Sequence, residues 1–344
     1  MPGHDVIVAG ASAGGMEALQ VLVAGLPAHL PAALFVVWHM PPHSFGVLPD
    51  VLDRAGPLPA AHARDGEPIA PGRVYVAPPD RHLLLEPGHV RLTRGPKENH
   101  FRPAIDPLFR SAAVTSGPRV IGVVLSGLLD DGTAGLWAIK DRGGLAVVQE
   151  PEEALFPAMP RSALEYVAVD HRRPAAELGP LLAQLVRLPA LDEGGTPVSE
   201  ELYIEHRIAM ADNALERGVT KLGTPSLYTC PECAGVLIQL HGDGPLRFRC
   251  HTGHAFSADA LVAQAAESIE EHLWNVVRTM DEHLLLLRQI ADQLHAAGNV
   301  PAAERLLDQA HTVEQQTQTV RQVALAPAAP VAPLPPDAKR AGGG

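Results

Sequence analysis

The sequence predicts an α/β protein: a doubly wound, mostly parallel sheet in three α/β/α layers, followed by a small zinc-ribbon-like module and a C-terminal α-helical hairpin. Three observations carry this. Over residues 1–187, short apolar runs rich in β-branched residues alternate with amphipathic stretches. Apolar runs without polar alternation are what a parallel sheet covered on both faces requires. The chain's 3 cysteines then cluster at Cys230, Cys233 and Cys250, and beyond them apolar positions recur at helical spacing as far as residue 325.

The elements follow in order. Strands are predicted at 5–10 (DVIVAG), 33–40 (ALFVVWHM), 73–78 (RVYVAP), 119–127 (RVIGVVLSG) and 145–150 (LAVVQE). Helices are predicted at 15–25, 44–54, 107–116, 133–142 and 174–187. In HLLLEPGHVRLT, 82–94, Pro-Gly between two alternating halves predicts a hairpin. Asp106–Pro107 reads as an N-cap and first-turn pair that starts a helix, so Asp106 is not assigned chemistry. These elements make up a catalytic domain at 1–187, and a linker and helix fill 188–225. The cysteine module spans 226–256, a helical hairpin 257–325, and a Pro/Ala/Gly-rich tail expected to be disordered 326–344. Within the hairpin, Leu261, Ala265, Ile269, Leu273, Val276, Val277, Met280 and Leu284 form an apolar stripe that packs within the chain or docks a partner's helices.

Composition narrows the function. The net charge of −12 argues against general affinity for nucleic acid, and the basic run RLTRGPK (91–97) reads as a solvated loop. No basic start with an apolar core marks a signal peptide, and no apolar run reaches membrane-spanning length. A cytoplasmic protein without membrane insertion is expected.

The stretch VIVAGASAGG, 6–15, is a strand, a glycine-rich turn and a helix start, which serves either a phosphate or a nucleophile. The glycines at 10, 14 and 15 do not have dinucleotide spacing, and the second strand ends in His39 rather than an acid. No Gly-Lys-Ser/Thr follows, so a P-loop is also excluded. Ser12 is then either an N-cap or a nucleophile raised on a tight turn beside free backbone N–H groups. Parallel strands would bring His39 and the Asp130–Asp131 pair of LSGLLDDGTAGL to the same sheet edge as Ser12. A hydroxyl, an imidazole and a carboxylate there have the logic of nucleophile, base and orienter.

Five ordered motifs, VIVAGASAGG, VVWHMP, GRVYVAPPDRHLLL, FRPAIDPLFRSAA and LSGLLDDGTAGL, resemble the catalytic domain of chemotaxis protein-glutamate methylesterases (CheB type). The resemblance covers about 4–187 and implies hydrolysis of glutamate methyl esters on the helical cytoplasmic region of methyl-accepting chemotaxis receptors. It also implies deamidation of receptor glutamine by the same groups. It assigns Ser12 as nucleophile, His39 as base and Asp131, which directly precedes Gly132, as the third member. The N–H groups of Ala13 and Leu128 match the oxyanion donors, and catalysis needs no cofactor. Arg102 is a candidate contact for an acidic receptor surface. Ala13 stands where the family commonly has Thr, and Leu129 where it commonly has Gly, a position strained for leucine if φ is positive. The esterase motif begins within the first dozen residues, so no receiver domain is expected in this chain. A rival reading is a non-catalytic adaptor of a chemosensory system that docks partners through its zinc and helical extension.

The cysteine segment supplies Cys-x2-Cys at Cys230 and Cys233, and Cys-x3-His at Cys250 and His254. Three thiolates and an imidazole at these spacings fit a closed tetrahedral zinc site, structural rather than catalytic. His251 competes with His254, and Gly253 before His254 favours the latter by resemblance to Cys-x-x-Gly-His modules.

Overall fold

The computed structural model describes residues 3–190, 197–242 and 244–326. Most of the expected 326–344 tail, and residues 191–196 of the expected linker, lie outside them.

Seven parallel strands form the main sheet: β1 (Val6–Ala11), β2 (Ala33–Trp38), β3 (Ala60–His62), β4 (Val74–Val76), β7 (Val120–Val124), β8 (Leu145–Gln149) and β9 (His171–Arg173), in the order β3-β4-β2-β1-β7-β8-β9. Both faces are apolar. Along β1, Val6 and Val8 enter one core while Ile7, Ala9 and Ala11 enter the other. The period-2 alternation of strand side chains thus serves two buried faces. Helices α1 (Gly15–Ala24), α2 (Leu48–Ala55) and α6 (Ala175–Leu185) cover one face. Helices α3 (Ile105–Ser116), α4 (Thr133–Asp141) and α5 (Ala158–Tyr166) cover the other. The chain winds outward from β1 through β2 to β3, then returns to β7 on β1's other side. Strand order therefore reverses at β1, the position where ligands bind at the C-terminal ends of strands in such sheets.

The hairpin β5 (His82–Glu86) and β6 (His89–Thr93) turns at Pro87–Gly88, with Gly88 at φ +76°. Leu83, Leu85 and Val90 bury it against the α3 side of the sheet. Strands β3 and β9 and helix α5 are additions to the predicted set. They are short, and β9 is a polar His-Arg-Arg edge strand with no apolar run to betray it. The predicted helix at 44–54 begins instead at Leu48, after Gly46 takes φ +61°.

Of the predicted linker and helix at 188–225, the described residues are α-helical only in α7 (Glu200–Ala209), where Ser199 caps through its side chain. A four-stranded antiparallel sheet follows: β10 (Gly223–Thr229), β11 (Val236–Leu240), β12 (Arg247–Cys250) and β13 (Ala255–Ser257). Beyond it, α8 (Ala258–Ala296) and α9 (Val300–Leu325) run antiparallel, reversing at Gly298 (φ +80°). Leu284 and Leu287 pack on Ala310 and Val313, with ion pairs Arg288–Glu314 and Arg321–Asp281 alongside. The predicted stripe on α8 is only partly buried. Val277 and Leu284 are, whereas exposed Ile269 lies toward the start of α8, which has 39 residues against 26 in α9, and Val276, beside buried Val277, is exposed too. No helix among the described residues is long and apolar enough to cross a membrane.

Candidate active site

Ser12 follows β1 directly, and its hydroxyl caps nothing. Helix α1 has Gly14 at its N-cap, at φ +66°, with no side-chain cap bond, so the capping role weighed from sequence is not the one observed. Ser12 N–H donates to Ser126 O, and Trp38 Nε1 donates to Ser12 O, which fixes the turn from both sides. Gly127 makes room for it: a Cβ there would lie 2.9 Å from the Ser12 Cβ and 2.0 Å from Met159 Sδ.

His39 follows β2, with its N–H bonded to Ala11 O in continuation of the sheet. Its Nδ1 is 3.1 Å from Ser12 Oγ and its Nε2 is 2.7 Å from Asp131 Oδ2. The Phe101 ring stacks on the imidazole at 3.8 Å, within 8° of parallel. Asp131 lies past β7. Beyond His39 it accepts from Asn99 Nδ2, Ile105 N, Asp106 N and Gly132 N at 2.7–3.3 Å. Burial alone pushes its carboxyl up, yet the bonds and charge from His39, with Ile105 N–H and Asn99, outweigh this and hold it below the ordinary aspartate value. Asp130, the other member of the pair, turns away and accepts from Ser257 Oγ at 2.5 Å.

Asp106 corrects the sequence reading. It is not the α3 N-cap; Ala104 is, with no side-chain bond. The first N–H groups of α3 are met by Asp131, and Asp106 reaches across to the start of α4, accepting from Gly132 N at 3.1 Å and Gly135 N at 2.7 Å. Two helix N-termini thus exchange caps. Burial, then the charge of Asp131, push the Asp106 carboxyl up to about 8.

Among the described residues, neither Ala13 N–H nor Leu128 N–H has an intramolecular acceptor. Leu129 takes φ +59°, so the loop keeps a left-handed residue where leucine is strained. Ser12 and His39 open into a cleft of about 690 Å³ with Trp38, Pro41, Phe101 and Leu155 on its walls and Glu17, Lys97, His100 and Arg102 among its polar groups. Arg102 is held by Asp80 at 2.6 Å and Gly95 O at 2.9 Å. The basic run 91–97 is neutralised by acids: Arg91 by Asp65, Arg94 by Asp80, and Lys97 by Glu232.

Cys230, Cys233, Cys250 and His254 converge, with all ligand atoms within 4.8 Å of one another. Cys233 Sγ–Cys250 Sγ is 3.6 Å, Cys230 Sγ–His254 Nδ1 3.8 Å and Cys250 Sγ–His254 Nδ1 3.6 Å. The edges of a tetrahedron with zinc–sulfur and zinc–nitrogen bonds are about 3.6–3.8 Å, so the set fits a metal ion; a disulfide needs about 2 Å. Two tight turns present the ligands: Ala234 N–H to Cys230 O, and Gly253 N–H to Cys250 O with Gly253 at φ +103°. His251 is exposed, covers Gly235 and stands outside the cluster. Thr252, which the sequence did not single out, has its hydroxyl 2.9 Å from Cys233 Sγ and 3.2 Å from Cys250 Sγ.

Comparison with known proteins meets this geometry. The chain is 40% identical over 183 residues to protein-glutamate methylesterase/protein-glutamine glutaminase 2 of Anaeromyxobacter dehalogenans, covering 53% of this chain and 54% of that one. It is 37% identical over 185 residues to the protein of the same name from Pseudomonas aeruginosa, covering 53% of each. The chain thus spans about half the length of these curated relatives. The crystal structure of the Thermotoga maritima CheB methylesterase catalytic domain superposes with a TM-score of 0.51 at 35% identity, covering 53% of this chain and 98% of that one. The model of the CheB methylesterase family matches residues 7–182, and the chain belongs to that family.

Proposed function

We propose that this chain is a protein-glutamate methylesterase acting on methyl-accepting chemotaxis receptors. The observation that carries the reading is the relay from Ser12 Oγ through His39 to Asp131 at the floor of an open cleft. Its relatives' names support the ester and amide chemistry.

In the proposed reaction, His39 Nδ1 takes the hydroxyl proton as Ser12 Oγ attacks the ester carbonyl. Asp131 accepts the Nε2–H and, being held ionised, offsets the charge that the imidazole gains. The oxyanion meets Ala13 N–H and Leu128 N–H, and the helix N-terminus behind Ala13 adds its positive end. His39 returns the proton to the departing methoxide, so methanol leaves. Water, deprotonated by the same nitrogen, then cleaves the acyl-enzyme to glutamate and free Ser12. With a glutamine side chain the leaving group is ammonia and the rest is unchanged. The Cys230, Cys233, Cys250 and His254 set would hold zinc in a closed site, where the ion supplies a structural crosslink.

The test is methanol release from methylated receptor, comparing the wild-type chain with Ser12→Ala. A fall of at least about a thousandfold is expected. Equal release from the two would end the esterase reading.

A further inference from the structure

The strap from Lys97 to Arg102 lies between the cleft and the cysteine module, and its first four residues, Lys97 to His100, are held from the module side. Ala255 N–H donates to Lys97 O at 3.3 Å, and Asn99 N–H donates to Ala255 O at 2.8 Å. Ser257 N–H donates to Asn99 Oδ1 at 2.8 Å. Glu98 is buried against Arg249 of β12 at 3.0 Å. Glu232, between the first two cysteines, accepts from Lys97 at 3.1 Å and lies 2.8 Å from His100 Nδ1. On its other side the same strap faces the site. Asn99 Nδ2 donates to Asp131 Oδ1 at 3.0 Å, and Phe101 stacks on His39.

The strap turns tightly. Asn99 and His100 take φ +49° and +72°, the two central residues of a turn closed by Phe101 N–H to Glu98 O at 2.9 Å and Glu98 N–H to Phe101 O at 3.2 Å. The anchors that hold this turn from outside come from β12, β13 and Glu232. His254 directly precedes β13 and Cys250 ends β12, with Cys250 N–H bonded to His254 O at 2.9 Å. The ends of the hairpin that carries the strap are therefore two of the four candidate metal ligands. An ion bound by all four ligands would fix both ends at once.

We propose that the cysteine module, closed by a metal ion, is a positioning element for the site: it fixes the 97–102 strap, and Asn99 in turn orients Asp131. The ion touches no substrate, yet its loss lowers turnover. This rests on the esterase reading above only for the consequence to rate; the coupling between module and Asp131 stands on hydrogen bonds alone. Asn99 is a positioning residue. It acts on Asp131, which acts on His39.

The experiment uses the full chain, loaded with zinc or stripped by a chelator. Three readouts are followed: bound zinc, the proton resonance of the His39 Nε2–H bonded to Asp131, and kcat and KM for methanol release. Asn99→Gly keeps the positive φ available while removing the side-chain donor and acceptor. A single zinc per chain is expected. Stripping it should shift or broaden the His39 resonance and lower kcat roughly ten- to a hundredfold, the worth of one hydrogen bond to a charged group, with KM within about twofold. Zinc-loaded Asn99→Gly should reproduce both changes, and stripping that variant should lower its rate no more than about twofold further. A chain that takes up no zinc, or a resonance unmoved by its removal, would overturn the proposal. So would losses from Asn99→Gly and from stripping that multiply. If loaded wild type moves its resonance on stripping yet releases no methanol, the positioning stands and the esterase reading falls.

Discussion

Among the described residues, two pairs of buried acidic side chains are accommodated by different means. Asp131 and Asp106 sit among backbone N–H groups at the starts of α3 and α4. Glu98 and Glu205 sit among arginines: Arg110 and Arg249 on Glu98, Arg247 and Arg249 on Glu205. Burial pushes the glutamates up, but the arginine charges outweigh it and hold both below their ordinary value. In the aspartate pair only Asp131 is held down, and Asp106 is pushed up to about 8. The arginine cluster matches every negative charge with a full positive one and so locks elements together. The aspartate pair carries one charge, on Asp131, held mainly by N–H dipoles, with Arg110 approaching only Asp106 at 3.9 Å. That charge remains available to an imidazolium that forms beside it.

The comparison breaks most sharply at Asp131→Asn. An amide keeps the shape but removes the charge and favours the wrong imidazole tautomer, so kcat should fall by about 10³–10⁴ while the fold persists. Methanol release with a urea titration checks both halves; a rate within tenfold of wild type removes Asp131 from the proposed relay. In the arginine cluster the loss should appear as stability instead. Glu205→Gln leaves Arg247 and part of Arg249 without a counter-charge, and is expected to lower unfolding free energy by about 3 kcal/mol. A urea midpoint near that of wild type would show that the cluster does not lock α7 to β12.

The pH response should separate the pairs by sign. Folded Asp106 keeps its proton up to about pH 8, and an ordinary aspartate releases it near 3.8. Between those values the folded chain binds more protons than the unfolded one, so this group's contribution to stability falls as pH rises. The glutamates have lowered values, so their contribution is present above the ordinary 4.5 and is lost as pH falls below it. Asp106→Asn should therefore flatten the decline between pH 5 and 8, relative to wild type, by up to about 1.4 kcal/mol per pH unit. Parallel profiles for the two proteins in urea would show that Asp106 is ionised in the fold.

The same contrast explains what could be read in the sequence. Ser12, His39 and Asp131 each follow a strand of the parallel sheet, so strand runs and the turns after them were enough to bring Ser12, His39 and the Asp130–Asp131 pair to one edge. The family resemblance chose Asp131. His254 was preferred to His251 through resemblance to Cys-x-x-Gly-His modules, and the three cysteines were legible from spacing. Asn99, Phe101 and the Asp106 exchange were not, because their partners lie in distant segments and no local period records them. Glu98 meets Arg249 across 151 positions of chain, a pairing that no motif encodes. The only local trace was Lys-Glu-Asn-His, a polar run between a hairpin and a helix that reads as a loop. Strands β3 and β9 were missed for a plainer reason: with 3 residues each, they show no periodicity.

The smallest expected effect concerns Leu129, where the dipole-held site carries strain of its own. A leucine at φ +59° is disfavoured by about 1–2 kcal/mol, and glycine would relieve it. Glycine also gains freedom in the unfolded chain, worth about 0.5–1 kcal/mol against the fold, and Leu129 loses what packing it has. Leu129→Gly should therefore stabilise by about 0.5 kcal/mol in urea. Its effect on rate tells more. Asp131 is held by five N–H donors, from His39, Asn99, Ile105, Asp106 and Gly132, and only Gly132 belongs to this loop. If those donors set its position, methanol release should stay within about twofold of wild type. A fall beyond tenfold would mean that the strained loop, rather than the two helix N-termini, holds the carboxylate in place.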